Sequence, residues 1–326
     1  MQEENVIIVG AGPCGMSCAM ELQKQGINPL IIEKGNIVNT IYNFPTHQTF
    51  FSSSEKLEIG SYPFISERQK PVRNEALAYY RAVAQRSDIR VHSFELVNEV
   101  IQTSTGYQLK VITGDGQQKQ YQATYVILAT GYYDQPNYMD IPGEELPKVM
   151  HYFKEAHAYY RKNVTIIGGK NSAVDAALEL YKAGANITVL YRGNDYSPSI
   201  KPWILPDFDA LVKKDLIHMA FQAHPTEITA DKVIYQVNGK THEVDNDFVF
   251  AMTGYKPDIK FLSNIGITYD SNTGKPTFNE ATYETNLTNL YIAGVIAAGY
   301  NNNEIFIENG RFHGEVIAND ILNKMK

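Results

Sequence analysis

The sequence predicts an α/β fold of two parallel-stranded βαβ units, the second inserted into the domain that the first begins, and three observations carry this. The chain repeats itself weakly at an offset of 158 residues: residues 6–10 (VIIVG) fall on residues 164–168 (VTIIG), Ala19 on Ala177, Leu22 on Leu180 and Gly26 on Gly184. Each copy then reads in the same order, with an apolar run, a glycine-bearing turn, apolar residues at helical spacing, a glycine stop and a second apolar run at residues 29–32 or 187–190. Finally, 326 residues are about two domains at roughly 150 residues each. A crossover helix returns the chain with right-handed sense, so the second strand of each unit lies parallel to the first and beside it.

Between the copies, residues 90–100 and 102–112 read as strands, and the turn at residues 113–116 (TGDG) leads into a strand at residues 120–130, which gives a meander ending in the buried run VILATG. The proline-bearing residues 134–147 read as a linker. The second unit runs to about Tyr255, where GYKPD is turn-rich, and the chain then returns to the first domain. Residues 290–294 (LYIAG) are strand-like, and residues 303–322 carry Ile305, Phe312, Val316 and Leu322 at helical spacing. The domains are therefore expected at 1–145 with 256–326, and at 146–255.

Composition excludes several classes. With 44% hydrophobic and 20% charged residues the chain is neither disordered nor fibrous. A net charge of −7 provides no footprint for a nucleic acid. No apolar run approaches the ~18 residues of a membrane helix, and the start, MQEEN, lacks the basic and long apolar regions of a secretory signal, so a cytoplasmic protein is expected. Two cysteines four apart, Cys14 and Cys18, make no disulfide framework and suit a reducing compartment.

The first turn, Gly10-Ala11-Gly12-Pro13-Cys14-Gly15, satisfies G-x-G-x-x-G between strand and helix. Gly10 allows the tight turn, Gly12 lets a pyrophosphate approach the backbone, and Gly15 lets the helix lie close on the sheet. The phosphates then meet the positive end of the helix. Glu33 ends the second strand, where a carboxylate accepts from both hydroxyls of an adenosine ribose and repels a 2′-phosphate. The second turn, Gly168-Gly169-Lys170-Asn171-Ser172-Ala173, keeps the first glycine and a small last residue but has Lys170 in the middle, where it either crowds a pyrophosphate or pairs with a phosphate oxygen. Tyr191 matches Glu33 and Arg192 follows, offering an aromatic face and a guanidinium fork suited to a phosphate. These features point to two Rossmann-like dinucleotide-binding domains, one for FAD and one for NADPH, with electrons passing from nicotinamide to flavin and onward.

On these residues the chain resembles the thioredoxin reductase-like flavoproteins with two dinucleotide sites. Gly10 to Gly15 with Glu33, the strand ending Ala129-Thr130-Gly131, the second glycine turn, Thr253-Gly254 and Tyr291-Ile292-Ala293-Gly294 carry the resemblance, which covers nearly the whole chain. Within that group the Gly-Pro-Cys-Gly and Gly-Gly-Lys-Asn-Ser-Ala turns look most like the bacillithiol disulfide reductases, also called bacilliredoxin reductases. The resemblance implies an NADPH-dependent FAD enzyme of thiol redox homeostasis that reduces a low-molecular-weight disulfide, in a bacilliredoxin pathway; a homo-oligomer is expected. It also implies FAD contacts at Lys34, Gln48, Val100, Thr130, Gly131, Gly294, Val295, Glu304 and Ile305, and further cofactor contacts at Thr253 and Gly254. A helix starting near Asn303 would aim its dipole at the flavin.

Two departures bear on mechanism. The wider group carries a Cys-x-x-Cys pair in the NADPH domain, and this chain has no cysteine after Cys18, which argues against direct thioredoxin reduction. The group also has aspartate where Val295 stands. The candidate nucleophile is then Cys14, in the first helical turn, where the dipole favours a thiolate. A nearby pyrophosphate would raise its pKa instead, and the alternative is a small packing residue. Cys18 reads as core. His151 and His157 match no zinc spacing, so no metal site is expected. The competing functions are a flavin-dependent monooxygenase and a ferredoxin-coupled NADP reductase.

Overall fold

The structure, a computed structural model, describes residues 1–301 and 303–326. Local chemistry sets each element of the repeat. The apolar run of β1 (Gln2–Val9) is buried from Val6 to Val9. Pro13 opens α1 (Pro13–Lys24), where its missing N–H is no loss, and Gly26 in the left-handed region stops it before β2 (Leu30–Glu33). The chain continues through α2 (Asn39–Asn43), α3 (Arg73–Arg86), β3 (Arg90–Ser93), β4 (Glu95–Thr103), β5 (Gly106–Thr113) and β6 (Gln118–Leu128).

The second copy follows β7 (Val149–Met150). It consists of β8 (Asn163–Ile167), α4 (Asn171–Lys182) and β9 (Asn186–Leu190), and both ends of α4 lie 158 residues beyond those of α1. Next come α5 (Leu205–Lys213), β10 (His218–Ala220), β11 (His224–Ile228), β12 (Lys232–Val237), β13 (Lys240–Asp245) and β14 (Phe248–Ala251). The chain ends with α6 (Ile259–Ile265), β15 (Leu290–Ile292), α7 (Ile307–Gly310) and α8 (His313–Met325).

Two compact units result, Met1–Gln135 with Tyr255–Lys326, and Pro136–Gly254. In the first, β3, β2, β1, β6 and β15 run parallel in that order, and the antiparallel β4 and β5 extend the sheet from the far half of β6. Alternation along β1 sends Val6 and Ile8 into one core and Ile7 and Val9 into another, so both faces of this sheet are covered. In the second unit β10, β9, β8, β14 and β7 form a parallel sheet, with Val164 and Ile166 buried on one face and Ile167 facing a core shared with the antiparallel β11, β12 and β13.

Three expectations shift. The strand read over 90–100 is two strands, because Phe94 takes a left-handed conformation (φ +59°) that turns the chain from β3 into the meander. The strand read over 102–112 spans the turn at Ser104-Thr105, so β4 ends at Thr103 and β5 begins at Gly106. Residues 136–145, placed by sequence with the first domain, pack in the second unit: Met139 and Ile141 lie on its core, and the buried Glu144 carboxylate accepts from the Met139 and Asp140 N–H groups at 2.8–2.9 Å.

Helices α1 and α8 meet at Gly314, where a Cβ would stand 2.8 Å from the Cα of Cys18. Gly314→Val should therefore cost about 1–3 kcal/mol through overpacking, read as a lowered urea midpoint; an unchanged midpoint would remove this contact from the fold's requirements.

Candidate functional site

In the first unit the glycine turn is clamped from both sides. Gly10 has φ +106°, and a Cβ on it would lie 2.5 Å from the Ala129 carbonyl oxygen on the neighbouring strand. Gly15 lies so close under the turn that a Cβ would be 2.0 Å from the Gly10 oxygen. Gly10 N–H donates to Ile32 O at 2.9 Å, tying the turn to β2. Gly12 by contrast faces open space, with nothing within 4 Å of a Cβ, at the mouth of α1. That is the opening a pyrophosphate needs, where the first N–H groups of a helix have no intrahelical acceptor.

Glu33 is buried, and its two carboxylate oxygens accept from Ala11 N–H at 2.7 Å and Gly35 N–H at 2.8 Å. A carboxylate has lone pairs for about two more donors, so ribose hydroxyls fit beside these bonds. Burial raises its pKa against the lowering by the two N–H groups. Its neighbour Lys34 pairs with Asp134 at 2.7 Å.

Pro13 and Cys14 begin α1. The Cys14 sulfur lies against two glycines: a Cβ on Gly294 would be 3.0 Å from it, and one on Gly310 2.9 Å. The expected thiolate is corrected here, because burial, with a smaller contribution from the Glu308 charge, pushes the thiol up to about 12. Desolvation outweighs the helix dipole. Glu308 accepts from the Ser52 hydroxyl. Cys18 is buried, and its thiol is likewise pushed up.

His313 was invisible to motif reading, because it opens α8 with no recognisable sequence pattern around it. It is buried, stacks on Tyr283 at 4.1 Å, and its Nδ1 accepts from Gly294 N–H at 3.1 Å. Burial pushes the imidazole down to about 4, so it is neutral with its proton on Nε2. The strand-end turn of Gly294 and Val295 is thus held by a histidine in this chain.

The remaining candidates of this unit separate. Thr130 and Gly131 follow β6 beside the first turn, and Gly131 faces open space. Gln48 ties its side chain to Thr49 O at 2.8 Å, while its backbone oxygen accepts from Arg73 N–H. The Val100 side chain is buried in the core, leaving only its backbone for a ligand. Glu304 accepts from the Asn301 side chain, and Ile305 packs against Gly310. The helix expected from Asn303 is broken: α7 is one turn from Ile307 and α8 starts at His313, because Arg311 and Phe312 link two separate helices.

The second turn repeats the first. Gly168 N–H donates to Leu190 O at 2.9 Å, and a Cβ on Gly168 would lie 2.5 Å from Met252 O. Lys170 is the exposed N-cap of α4, Ser172 is exposed and Ala173 is buried where Gly15 lies in the other copy. Asn171 accepts from Lys201 N–H and donates to Ser199 O, both at 2.9 Å, anchoring the following loop to the helix start. Tyr191 does not stand free as an aromatic face: its ring lies across Gly169 and Gly193, whose added Cβ atoms would come within 2.3 and 2.5 Å of it. Arg192 is exposed. Thr253 and Gly254 are pinned to Asn137, which accepts from the Thr253 hydroxyl at 2.5 Å and donates its own N–H to Gly254 O at 2.9 Å. Among the described residues no group of histidine, cysteine, aspartate or glutamate is arranged to hold a metal, and no helix is long and apolar enough to cross a membrane.

Two separately folded dinucleotide turns define a pyridine-nucleotide oxidoreductase, and the chain belongs to the pyridine nucleotide-disulphide oxidoreductase family, whose profile matches residues 7–294. It is 58% identical to the bacilliredoxin reductase Bdr of Bacillus subtilis, over 98% of each chain. Solved structures of bacillithiol disulfide reductase Bdr (YpdA) match it closely: the Bacillus cereus protein at 60% identity and TM-score 0.98, covering 99% of this chain and 100% of that one, and the Staphylococcus aureus protein at 55% and 0.96, covering 100% of both. The resemblance read from the two glycine turns is borne out over the full length.

His313 also makes a prediction. A histidine whose folded pKa is depressed contributes stability that is complete above 6.5 and is lost as pH falls toward about 4. The loss should reach ~3 kcal/mol, and His313→Gln should flatten that part of the stability–pH curve in urea titrations; an identical slope in the variant would show that His313 does not titrate this way.

Proposed function

We propose that this chain is an FAD-containing, NADPH-dependent reductase of a low-molecular-weight disulfide, bacillithiol disulfide, working in the cytoplasm within a bacilliredoxin pathway. The observation that carries the reading is the pair of turns with unlike chemistry: a buried carboxylate, Glu33, stands beside the first, and exposed cations, Lys170 and Arg192, stand at the second. The near-complete likeness to proteins bearing the disulfide reductase name supports the substrate. The monooxygenase and ferredoxin-coupled alternatives have only the shared architecture in their favour.

When bound, the nicotinamide supplies a hydride and the flavin passes on its electron pair, so that NADPH, a proton and one disulfide become NADP⁺ and two thiols. The chain's residues hold and select. Glu33, which already accepts from the Ala11 N–H, would accept from the adenosine ribose of FAD, and the α1 terminus would take the pyrophosphate. At the second turn the exposed Arg192 would hold the 2′-phosphate of NADPH and Lys170 would pair with a phosphate oxygen. With no second-unit cysteine pair, thiol chemistry falls to Cys14. Its sulfur attacks one sulfur of the disulfide, a bond forms between them, and the departing thiolate takes the proton that Cys14 gives up. Two electrons, with the hydrogen of the hydride released as a proton and one further proton from solvent, would then cleave that bond, returning Cys14 as a thiol and freeing the second thiol.

Stopped-flow absorbance tests the whole reading. NADPH should bleach the flavin and bacillithiol disulfide should restore it anaerobically; oxygen uptake with hydroxylation of an amine or thioether would overturn the reading. Arg192→Ala should raise KM for NADPH roughly tenfold to a hundredfold and leave NADH nearly unchanged, whereas equal losses would remove the 2′-phosphate assignment. Cys14→Ala should still bind FAD and accept electrons from NADPH but lose disulfide reduction. Because Cys14 is held as a thiol up to about 12, wild-type disulfide reduction in single turnover should climb by roughly tenfold per pH unit between neutrality and pH ~9, following the thiolate fraction; a plateau there would contradict attack by so weakly acidic a thiol.

A further inference from the structure

One face of α1 lies along the junction of α7 and α8. Cys14, Ser17 and Cys18 are three and four residues apart on α1, so they share that face. The Cys14 sulfur stands against Gly310, where a Cβ would come within 2.9 Å of it. The Ser17 hydroxyl donates to Arg311 O at 2.6 Å, and Cys18 backs onto Gly314. His313 belongs to the same junction but bonds elsewhere: its Nδ1 accepts the Gly294 N–H at 3.1 Å, and its ring stacks on Tyr283 at 4.1 Å.

Gly294 closes the circuit. It follows β15 by two residues and lies against Cys14 as well, since a Cβ on it would be 3.0 Å from the sulfur. Three elements, α1, the α7–α8 junction and the turn after β15, therefore meet at one sulfur. Packing between glycines and a thiol has little direction, whereas the bond from Gly294 to His313 has a fixed one. A buried N–H that loses its acceptor costs the full desolvation of the group, so the acceptor decides whether Gly294 stays against Cys14.

We propose that His313 is a positioning residue for FAD. Its Nδ1 holds Gly294 against Cys14, and Cys14, the second residue of α1, thereby keeps the helix start in the place where the pyrophosphate rests beside Gly12. His313 acts through Gly294 and Cys14 rather than by touching the cofactor. The assignment rests on the FAD reading above and deepens it, because it names a residue outside the glycine turn that sets how firmly the turn grips.

The two features of the side chain can be separated. Asparagine places an amide oxygen near the position of Nδ1 and lacks the ring; phenylalanine keeps a ring for Tyr283 and lacks the acceptor. FAD release from the full-length holoenzyme after dilution, read as recovery of flavin fluorescence at pH 7, distinguishes them. His313→Phe should release FAD roughly tenfold or more faster than the wild type, and His313→Asn should stay within about threefold of it. Amide hydrogen exchange over residues 290–299 should speed up in His313→Phe and not in His313→Asn. Where circular dichroism shows His313→Phe unfolded, His313→Gln takes its place: its amide reaches one bond beyond the Nδ1 position, so it too should release FAD faster than His313→Asn. Equal retention by the acceptor-lacking and acceptor-bearing variants, or the reverse order, would overturn the assignment and leave the flavin reading standing; a wild type that holds no FAD would overturn both.

Discussion

The close approach of backbone to backbone at the first glycine turn is the constraint on which the first unit depends. Gly10 lies under the Ala129 carbonyl and Gly15 under the Gly10 carbonyl, with no room for a side chain at either. Strand, helix and neighbouring strand can converge only there, and their convergence is what leaves Gly12 facing outward at a helix start. Glu33 completes the arrangement, since its carboxylate bonds the Ala11 N–H inside the turn it serves. One residue thus ties the end of the second strand to the turn that follows the first, through bonds from both Ala11 and Gly35.

Desolvation governs the ionisable groups around this turn. Burial raises Glu33, raises Cys14 and Cys18, and lowers His313. In each case the low-dielectric interior favours the neutral form. This explains why the helix dipole at Cys14 does not produce a thiolate: its effect is about 1 kcal/mol or less at ordinary exposure, while a three-unit rise in pKa corresponds to ~4 kcal/mol in the opposite sense. The neutral His313 is a consequence of the same environment. Because it carries no charge, its Nδ1 can accept from Gly294, and it holds the turn that the Cys14 sulfur touches.

The second unit uses the same frame for a different electrostatic end. Its turn reproduces the hydrogen bond from glycine to the second strand and the close approach to the third. No carboxylate ends the second strand as Glu33 ends the first, however. Tyr191 lies across Gly169 and Gly193, Lys170 and Arg192 stand exposed, and Asn171 ties the following loop down at Ser199 and Lys201.

The sequence by itself determined the repeat, both βαβ units, their glycine stops and the carboxylate at Glu33. All of these rest on short-range rules, namely periodicity, glycine conformation and helix capping, that act within about thirty residues. Tertiary structure alone decided which linker residues join the second unit, that Phe94 splits a strand, and that a long terminal helix begins at His313. It also decided that the Tyr191 ring lies across Gly169 and Gly193 and that Cys14 meets Gly294 and Gly310. Those outcomes depend on residues from about twenty to almost three hundred positions apart being pressed together, where burial sets protonation and close packing sets side-chain surroundings. A pattern in the chain carries no measure of that packing until the chain has folded.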